Sequence, residues 1–411
     1  MRIGYVCGDV EVPIFGQEGS SVHIQALANA FVDMGHEVFV TGSWVGKQSE
    51  QPKFRIRELQ KSAFEQELRE VVLRDLALQC ERLCRDLQSL AFNEQLLREG
   101  QKIIQNEKPD FVYERYSLFG WGAIELCHQF GIPHVLEVNA PLVQEQLGYE
   151  KFVLVEAAKA IDRMIFRRAA AIVVVSEWLK NWVVGLGADP DAVWVIPNGV
   201  SMDFLEARIS KANSRAKIGL LANPLVGYMG SFQRWHDVHG LVRAFARVRE
   251  RIPSARLLLV GDGEARKGVQ ELSVEIGIGD AVLFSGYVAH EKIPEHFAAV
   301  DVAVVPYADR ANFYFSPLKL FESMGLGVPT IAADIGDIGS SVEHGRTGWL
   351  YPPGDQEKLS ALLVAAIENP KTSEAVGAAG REYVLTNHSW LCIAEKIIAI
   401  AKALLARSSA R

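Results

Sequence analysis

The chain has 411 residues, 49% of them hydrophobic and 23% charged, with 34 glycines and 16 prolines scattered without period. That length suggests two or three domains, and that balance excludes a disordered or collagen-like chain. The net charge of −7 lies in residues 1–200, with 20 Lys/Arg against 27 Asp/Glu, while residues 201–411 hold 23 of each, so neither half has the basic surplus that meets nucleic acid or anionic lipid.

In chain order, residues 3–7 read as a short buried strand, 8–21 as a glycine-containing loop, 22–34 as a helix closed by Gly35, and 37–41 as the next strand. This is a β-α-β unit opening an α/β domain. Residues 62–107 are rich in Leu, Glu, Gln and Arg and lack Gly and Pro until Gly100. They read as one long helix or two joined ones, covering a sheet face rather than forming a coiled coil. Strands follow at 111–113, 134–138 and 171–175, with helices at 118–130 and 153–168. The composition shift over 205–224 marks a linker.

A second strand–helix series then begins. Strands are predicted at 225–230, 256–260, 281–285, 302–306 and 330–333, and helices at 238–250, 269–276, 293–299, 356–368, 371–386 and 389–406. The fold class is therefore α/β with two Rossmann-like domains. We assign 1–200 to the first, with 387–411 crossing back onto it, and 201–386 to the second. In such folds ligands sit at the carboxyl ends of strands, and with two facing domains the cleft between them is the expected site.

No uncharged run approaches the ~20 residues that span a bilayer, and no signal-type apolar region follows Met1. The expectation is a soluble, cytoplasmic protein. The cysteines Cys7, Cys80, Cys84, Cys127 and Cys392 form no C-x-x-C and read as thiols of a reducing compartment. No carboxylate cluster suggests a metal, so neither metal nor cofactor is expected.

Three chemical signatures are missing. There is no G-x-G-x-x-G after the first strand, no G-x-x-x-x-G-K-[ST] and no G-x-S-x-G, which disfavours dinucleotide dehydrogenases, P-loop nucleotidases and serine hydrolases. What remains is a set of strand exits. Ser316-Pro317-Leu318-Lys319 opens a helix, where free amides and the helix dipole favour phosphate. Lys319 adds charge, and Glu322, one turn on, suits ribose hydroxyls; the same pattern also fits an amphipathic helix with surface Lys and Glu. Gly227 to Phe232, with Gly230 and Ser231, lets a ligand approach the backbone, and Arg234 follows in that loop. In the first half, Gly19 and Ser20 open a helix carrying His23, which reads equally as a packing residue. Arg115, Glu137 and Asn139 exit two strands, and an Arg–Glu pair fastening loops is an equal reading.

The ordered set V-I-P-N-G-V (195–200), Val226 to Gly230, Leu258 to Gly263, F-S-G-Y-V (284–288) and L-F-E-S-M-G-L-G-V-P (320–329) resembles the family 4 glycosyltransferases, retaining enzymes of GT-B fold. G-R-T-G-W-L-Y-P (345–352) resembles the family's segment before its last strand. The resemblance implies a nucleotide-diphosphate-sugar donor on the second domain and an acceptor, whether small molecule, glycan or lipid-linked, on the first. It implies Glu322 on the donor ribose, Gly286, Tyr287 and Val288 against the base, the backbone of Phe315, Ser316, Pro317 and Leu318 on the donor, and Gly19 near the diphosphate. Four positions depart from the family pattern: Tyr314 replaces the first Glu of E-x7-E, Ser231 an Arg, His236 a Lys and Asn139 a His. Arg234 and Lys319 are the expected substitutes for the lost charge. The expected reaction is hexosyl transfer with retention; the alternative is a non-catalytic nucleotide-sugar binder.

Overall fold

The structure, a computed structural model, describes residues 1–16, 18–48, 51–60, 70–72, 74–78, 80–148, 153–206, 209–217, 219 and 222–409. It divides into two compact units. One comprises Met1–Pro197, Tyr314–Ser316 and Trp390–Arg411, the other Asn198–Phe313 and Pro317–Ser389.

The first unit is built on a seven-stranded parallel sheet: β1 (Arg2–Cys7), β2 (Glu37–Gly42), β3 (Arg55–Ile56), β4 (Phe111–Arg115), β5 (His134–Val138), β6 (Ala171–Val174) and β7 (Val193–Val195), in the order β3-β2-β1-β4-β5-β6-β7. The central strands are apolar runs buried on both faces, the pattern a helix-covered parallel sheet requires. The helix Gly19–Asp33 packs on the sheet together with the last helix, Trp390–Ser409, whose Ile393, Ile397 and Ile398 share a core with Ile24, Leu27 and Phe31. The end of the chain thus returns to the first unit.

The second unit holds six parallel strands, β8 (Leu225–Met229), β9 (Arg256–Val260), β10 (Val282–Gly286), β11 (Val302–Val305), β12 (Thr330–Ala333) and β13 (Trp349–Tyr351), in the order β10-β9-β8-β11-β12-β13. Each sheet reverses its direction of winding once, between β1 and β4 and between β8 and β11. Crevices at such reversals, at the carboxyl ends of the strands, are where α/β sheets bind ligands.

Several elements differ from the sequence expectation. The first helix starts at Gly19 instead of 22, so Gly19 and Ser20 lie in its first turn rather than in the loop. The helix expected from 118 starts at Gly122, because Phe119 has φ +60° and its carbonyl accepts from the Asn93 amide. Of the stretch 62–107, residues 62–69, 73 and 79 lie outside the described residues, and Glu81–Glu107 is a single 27-residue helix. The expected linker 205–224 includes a helix, Lys211–Lys217, anchored where Arg215 donates to the Ala299 carbonyl at 3.0 Å and pairs with Asp301. Residues 207, 208, 218, 220 and 221 of that stretch lie outside the described residues. β3 and the helix Leu142–Gly148 carry no sequence signal strong enough to have been anticipated.

No cysteine is in a disulfide, and Cys7, Cys84 and Cys127 are buried. Among the described residues no helix is long and apolar enough to cross a membrane.

Candidate active site

In the second unit three strand exits are tied together. Gly230 N donates to the Val260 carbonyl at 3.0 Å, Gly261 N to Gly286 at 2.9 Å, and Phe232 N to Asp262 at 2.9 Å. This lacing needs glycine. Gly230 sits at φ +137° and Gly261 at φ +132°, and a Cβ on Gly261 would lie 2.0 Å from the Gly230 oxygen, a contact no other residue tolerates.

Beside this platform begins the helix Leu318–Gly325, whose N-cap Pro317 offers no side-chain cap. The first-turn amides of such a helix present positive charge to whatever lies before them. Lys319 extends from this turn into an aromatic box. Its Nζ is 4.9 Å from the ring centre of Tyr307 and 5.6 Å from that of Tyr228, and it is buried without a hydrogen-bond partner. Burial pulls its pKa down to about 7, with Glu322 opposing. A buried cation left without a partner is costly, and an anion at this spot would remove the cost.

His236 lies against the same box, edge-on to Tyr307 with ring centres 5.3 Å apart. Its Nδ1 is 2.6 Å from the Ser231 carbonyl, which fixes the proton on Nδ1 because a carbonyl only accepts. Burial, then the charge of Lys319, push its pKa down to about 3, so it is neutral. Ser231 therefore serves His236 through its backbone. Arg234 is placed differently: its side chain is 87% exposed and reaches Glu264 at 3.5 Å. Lys319, not Arg234, is the cation drawn in among the aromatic rings.

Glu322, one turn beyond Lys319, is only 8% exposed. Its Oε1 is 2.7 Å from His290 Nε2. The loop leading to His290 starts at Gly286, at φ +71°, and there Tyr287 turns outward, 69% exposed, while Val288 packs on the core.

Tyr314, Phe315 and Ser316 group with the first unit. Tyr314 is 6% exposed, stacks near Trp178 at 5.7 Å, accepts from Ser176 Oγ through its carbonyl at 3.0 Å and donates its hydroxyl to Glu145. The position expected as a lost acid is thus a packing residue with its own carboxylate partner. Pro317 and Leu318 return to the second unit, at the helix start.

In the first unit the structure joins four expected residues at the carboxyl ends of β4 and β5. His23 Nε2 is 2.8 Å from Glu137 Oε1, Arg115 Nη1 is 3.5 Å from Glu137 Oε2, and Arg115 Nη2 donates to Ser20 Oγ at 3.5 Å. Trp390 meets the His23 ring edge-on at 4.6 Å. Burial works against the Glu137 anion, but His23, Arg115 and Tyr113 outweigh it and hold the pKa at about 2. Gly19 stands open, with nothing within 4 Å of a Cβ built on it. Asn139 follows β5 with both amide atoms buried and unpartnered. Sequence reasoning missed Tyr228, Tyr307, Glu145 and His290; aromatic residues at two strand exits and a histidine four residues after Gly286 were the available signals. Among the described residues no three His, Cys, Asp or Glu side chains are gathered to hold a metal ion.

The comparisons fall on the same two halves. The model described as "Glycosyltransferase Family 4" matches residues 18–204, and that described as "Glycosyl transferases group 1" matches residues 210–383. The chain is a family 4-like glycosyltransferase of GT-B fold.

This transferase is 24% identical over 320 residues to a GDP-mannose-dependent alpha-(1-6)-phosphatidylinositol monomannoside mannosyltransferase of Mycolicibacterium smegmatis, covering 73% of this chain and 83% of that one. It is 28% identical over 284 residues to a D-inositol 3-phosphate glycosyltransferase of Streptomyces scabiei, covering 66% of this chain and 63% of that one. Among solved structures, the sucrose-phosphate synthase of Thermosynechococcus elongatus superposes with a TM-score of 0.69 at 22% identity, covering 99% of both chains.

Proposed function

We propose that this transferase moves a hexosyl group from a nucleotide-diphosphate-sugar donor to an acceptor hydroxyl with retention of anomeric configuration. The observation that carries this reading is the Lys319 ammonium, buried without a partner between Tyr228 and Tyr307 beside the start of a helix. In this reading the donor diphosphate lies against Lys319 and the amide of Leu318 at the helix start, with Gly230 and Ser231 beneath it. Arg234 supplies a second, solvent-exposed charge. Glu322 receives the ribose, and Gly286, Tyr287 and Val288 flank the base. A metal ion is not required, because fixed protein charge and helix amides meet the leaving diphosphate.

The chemistry is a front-face displacement. The bond from the anomeric carbon to the diphosphate oxygen breaks as the acceptor oxygen bonds to that carbon on the same face. The acceptor proton passes to the departing phosphate oxygen, so the protein acts by positioning and by charge stabilisation. On the first unit, Gly19 stands open to a ligand, Asn139 adds a buried amide without a partner, and Ser20 accepts from Arg115. His23, Arg115 and Glu137 engage one another and frame it. The acceptors for which the two bacterial relatives are named make inositol-bearing compounds the first to try.

The second reading is a non-catalytic nucleotide-sugar binder, favoured by Tyr314, whose side chain is spent on Glu145 and Trp178. One experiment separates them. Purified protein is screened by thermal shift against UDP, GDP, ADP, dTDP and their sugars, since a ligand of the folded state raises the melting temperature. The stabilising donor is then followed by NMR with inositol-bearing acceptors. An α-linked product from an α-linked donor supports the first reading. A thermal shift without transfer or donor hydrolysis favours the second, and no shift with any nucleotide overturns both.

A further inference from the structure

Resting on the ribose reading of Glu322, we propose that His290 is the positioning residue for that carboxylate, holding one oxygen so that the other meets the ribose.

The geometry sets this up from three sides. His290 Nε2 donates to Glu322 Oε1 at 2.7 Å across 32 residues of sequence. The imidazole lies flat on Phe204, ring centres 5.0 Å apart and planes within 20°, and Phe204 is itself 4% exposed at the end of the short helix Met202–Leu205. The stack fixes the plane of the ring, and a fixed ring fixes the direction of its N–H. Glu322, held on the opposite side by its own helix, then has one carboxylate oxygen engaged and no other side-chain hydrogen bond among the described residues.

The histidine is not sealed in. Its side chain is 42% exposed against 10% for Glu322. Water reaches the imidazole, so a proton on it is tolerated, and the bond to Glu322 draws its pKa upward. An acceptor-only carboxylate pointed at two adjacent hydroxyls gains most when its orientation is already paid before binding. A long Glu side chain without such a partner would have to lose its rotamer freedom as the nucleotide arrives.

The placement also links two parts of the donor site. His290 opens a 3-10 turn, His290–Lys292, directly after the loop Gly286–Ala289 that the reading sets against the base. One hydrogen bond therefore ties the base loop to the ribose carboxylate, and a shift in either is felt by the other.

The test measures the affinity of UDP, GDP and ADP, and of the 2′,3′-dideoxy form of each that binds, by titration calorimetry on the full chain. The variants are His290→Ala, His290→Gln, Glu322→Gln and the double variant His290→Ala/Glu322→Gln, each checked for wild-type thermal unfolding. The inference expects His290→Ala to weaken the ribonucleotide about tenfold, the size of one charge-assisted hydrogen bond, and to leave the dideoxy form unchanged. It expects His290→Gln, which keeps a donor, to recover most of the loss. The double variant is expected to bind no worse than Glu322→Gln alone, because the histidine acts only through the carboxylate. Wild-type ribonucleotide affinity in His290→Ala beside a weakened Glu322→Gln overturns the inference and leaves the ribose reading standing. So does an equal loss for ribo and dideoxy forms in His290→Ala, which marks a merely structural role. Wild-type affinity in Glu322→Gln overturns the ribose reading and this inference with it.

Discussion

A Cβ built on Gly230 would stand 3.1 Å from Lys319 Nζ and 3.2 Å from the Tyr228 hydroxyl. The missing side chain of one residue is the space that the other's ammonium occupies. Gly230→Ala is expected to cost stability through its φ of +137°, at about 1–3 kcal/mol for a residue held in a region reserved for glycine. It should also displace Lys319 and weaken nucleotide binding. Urea unfolding and nucleotide titration of the same variant check the two effects together.

Lys319→Met separates binding from folding. The ammonium is buried without a partner, so replacing it by an apolar chain of similar volume should leave stability unchanged or raise it by about 1 kcal/mol. Donor affinity should fall about 10- to 100-fold, the range for a hydrogen-bonded charge pair. A variant that loses stability and binds normally would contradict the assignment.

Lys319 also gives donor binding a pH dependence. Its pKa in the free chain is about 7, and a bound diphosphate raises it. Below pH 7 the proton is already present. Above pH 7 it must be taken up on binding, so affinity should fall by up to about tenfold per pH unit until the bound-state pKa is reached. The other groups around it stay silent: His236 is neutral throughout, and burial raises Tyr228 and Tyr307. Glu322 is the facing carboxylate on the same helix. Titrations from pH 6 to 9 should show a steeper fall in the wild type than in Lys319→Met, where His290, raised by its bond to Glu322, still titrates.

The first unit carries its own pH signature. Glu137 is held at about 2 by its partners, below the ~4.3 of an unperturbed Glu. Its contribution is present above that unfolded value and is lost as pH falls from ~4 toward 2. The loss amounts to as much as about 3 kcal/mol for a shift of this size. Denaturant unfolding at pH 7, 4 and 3 should show this decline in the wild type and a shallower one in Glu137→Gln.

Transfer is expected to persist in EDTA, because Lys319 and the helix amides meet the diphosphate in this reading. Activity lost to chelation and restored by a divalent cation would move the leaving-group charge onto a metal.

Much of the candidate site was legible because its signals are local. Gly230, Lys319 and Glu322 each sit at a strand exit or helix start, and those positions follow from short runs of neighbouring residues. Arg115 and Glu137 each close a strand, and the sequence left open whether they pair with each other or meet a ligand. What stayed hidden was every other long-range partner. Tyr314 looked like a lost acid, yet its ring belongs to the core around Trp178 and its hydroxyl to Glu145, 169 residues away. Arg234 looked equivalent to Lys319, and only the fold leaves one in solvent and draws the other into a box of two tyrosines.

The amino-acid sequence by itself determined the alternation of strands and helices, the two parallel sheets and the glycines at their exits. These follow from apolar periodicity and backbone freedom, which neighbouring residues set among themselves. Only the tertiary structure decided which charges are buried and what each one faces: Lys319 without a partner, His290 on Glu322, His23 and Arg115 on Glu137. Burial and hydrogen bonding are properties of atoms distant in sequence and adjacent in space, and no local pattern carries them.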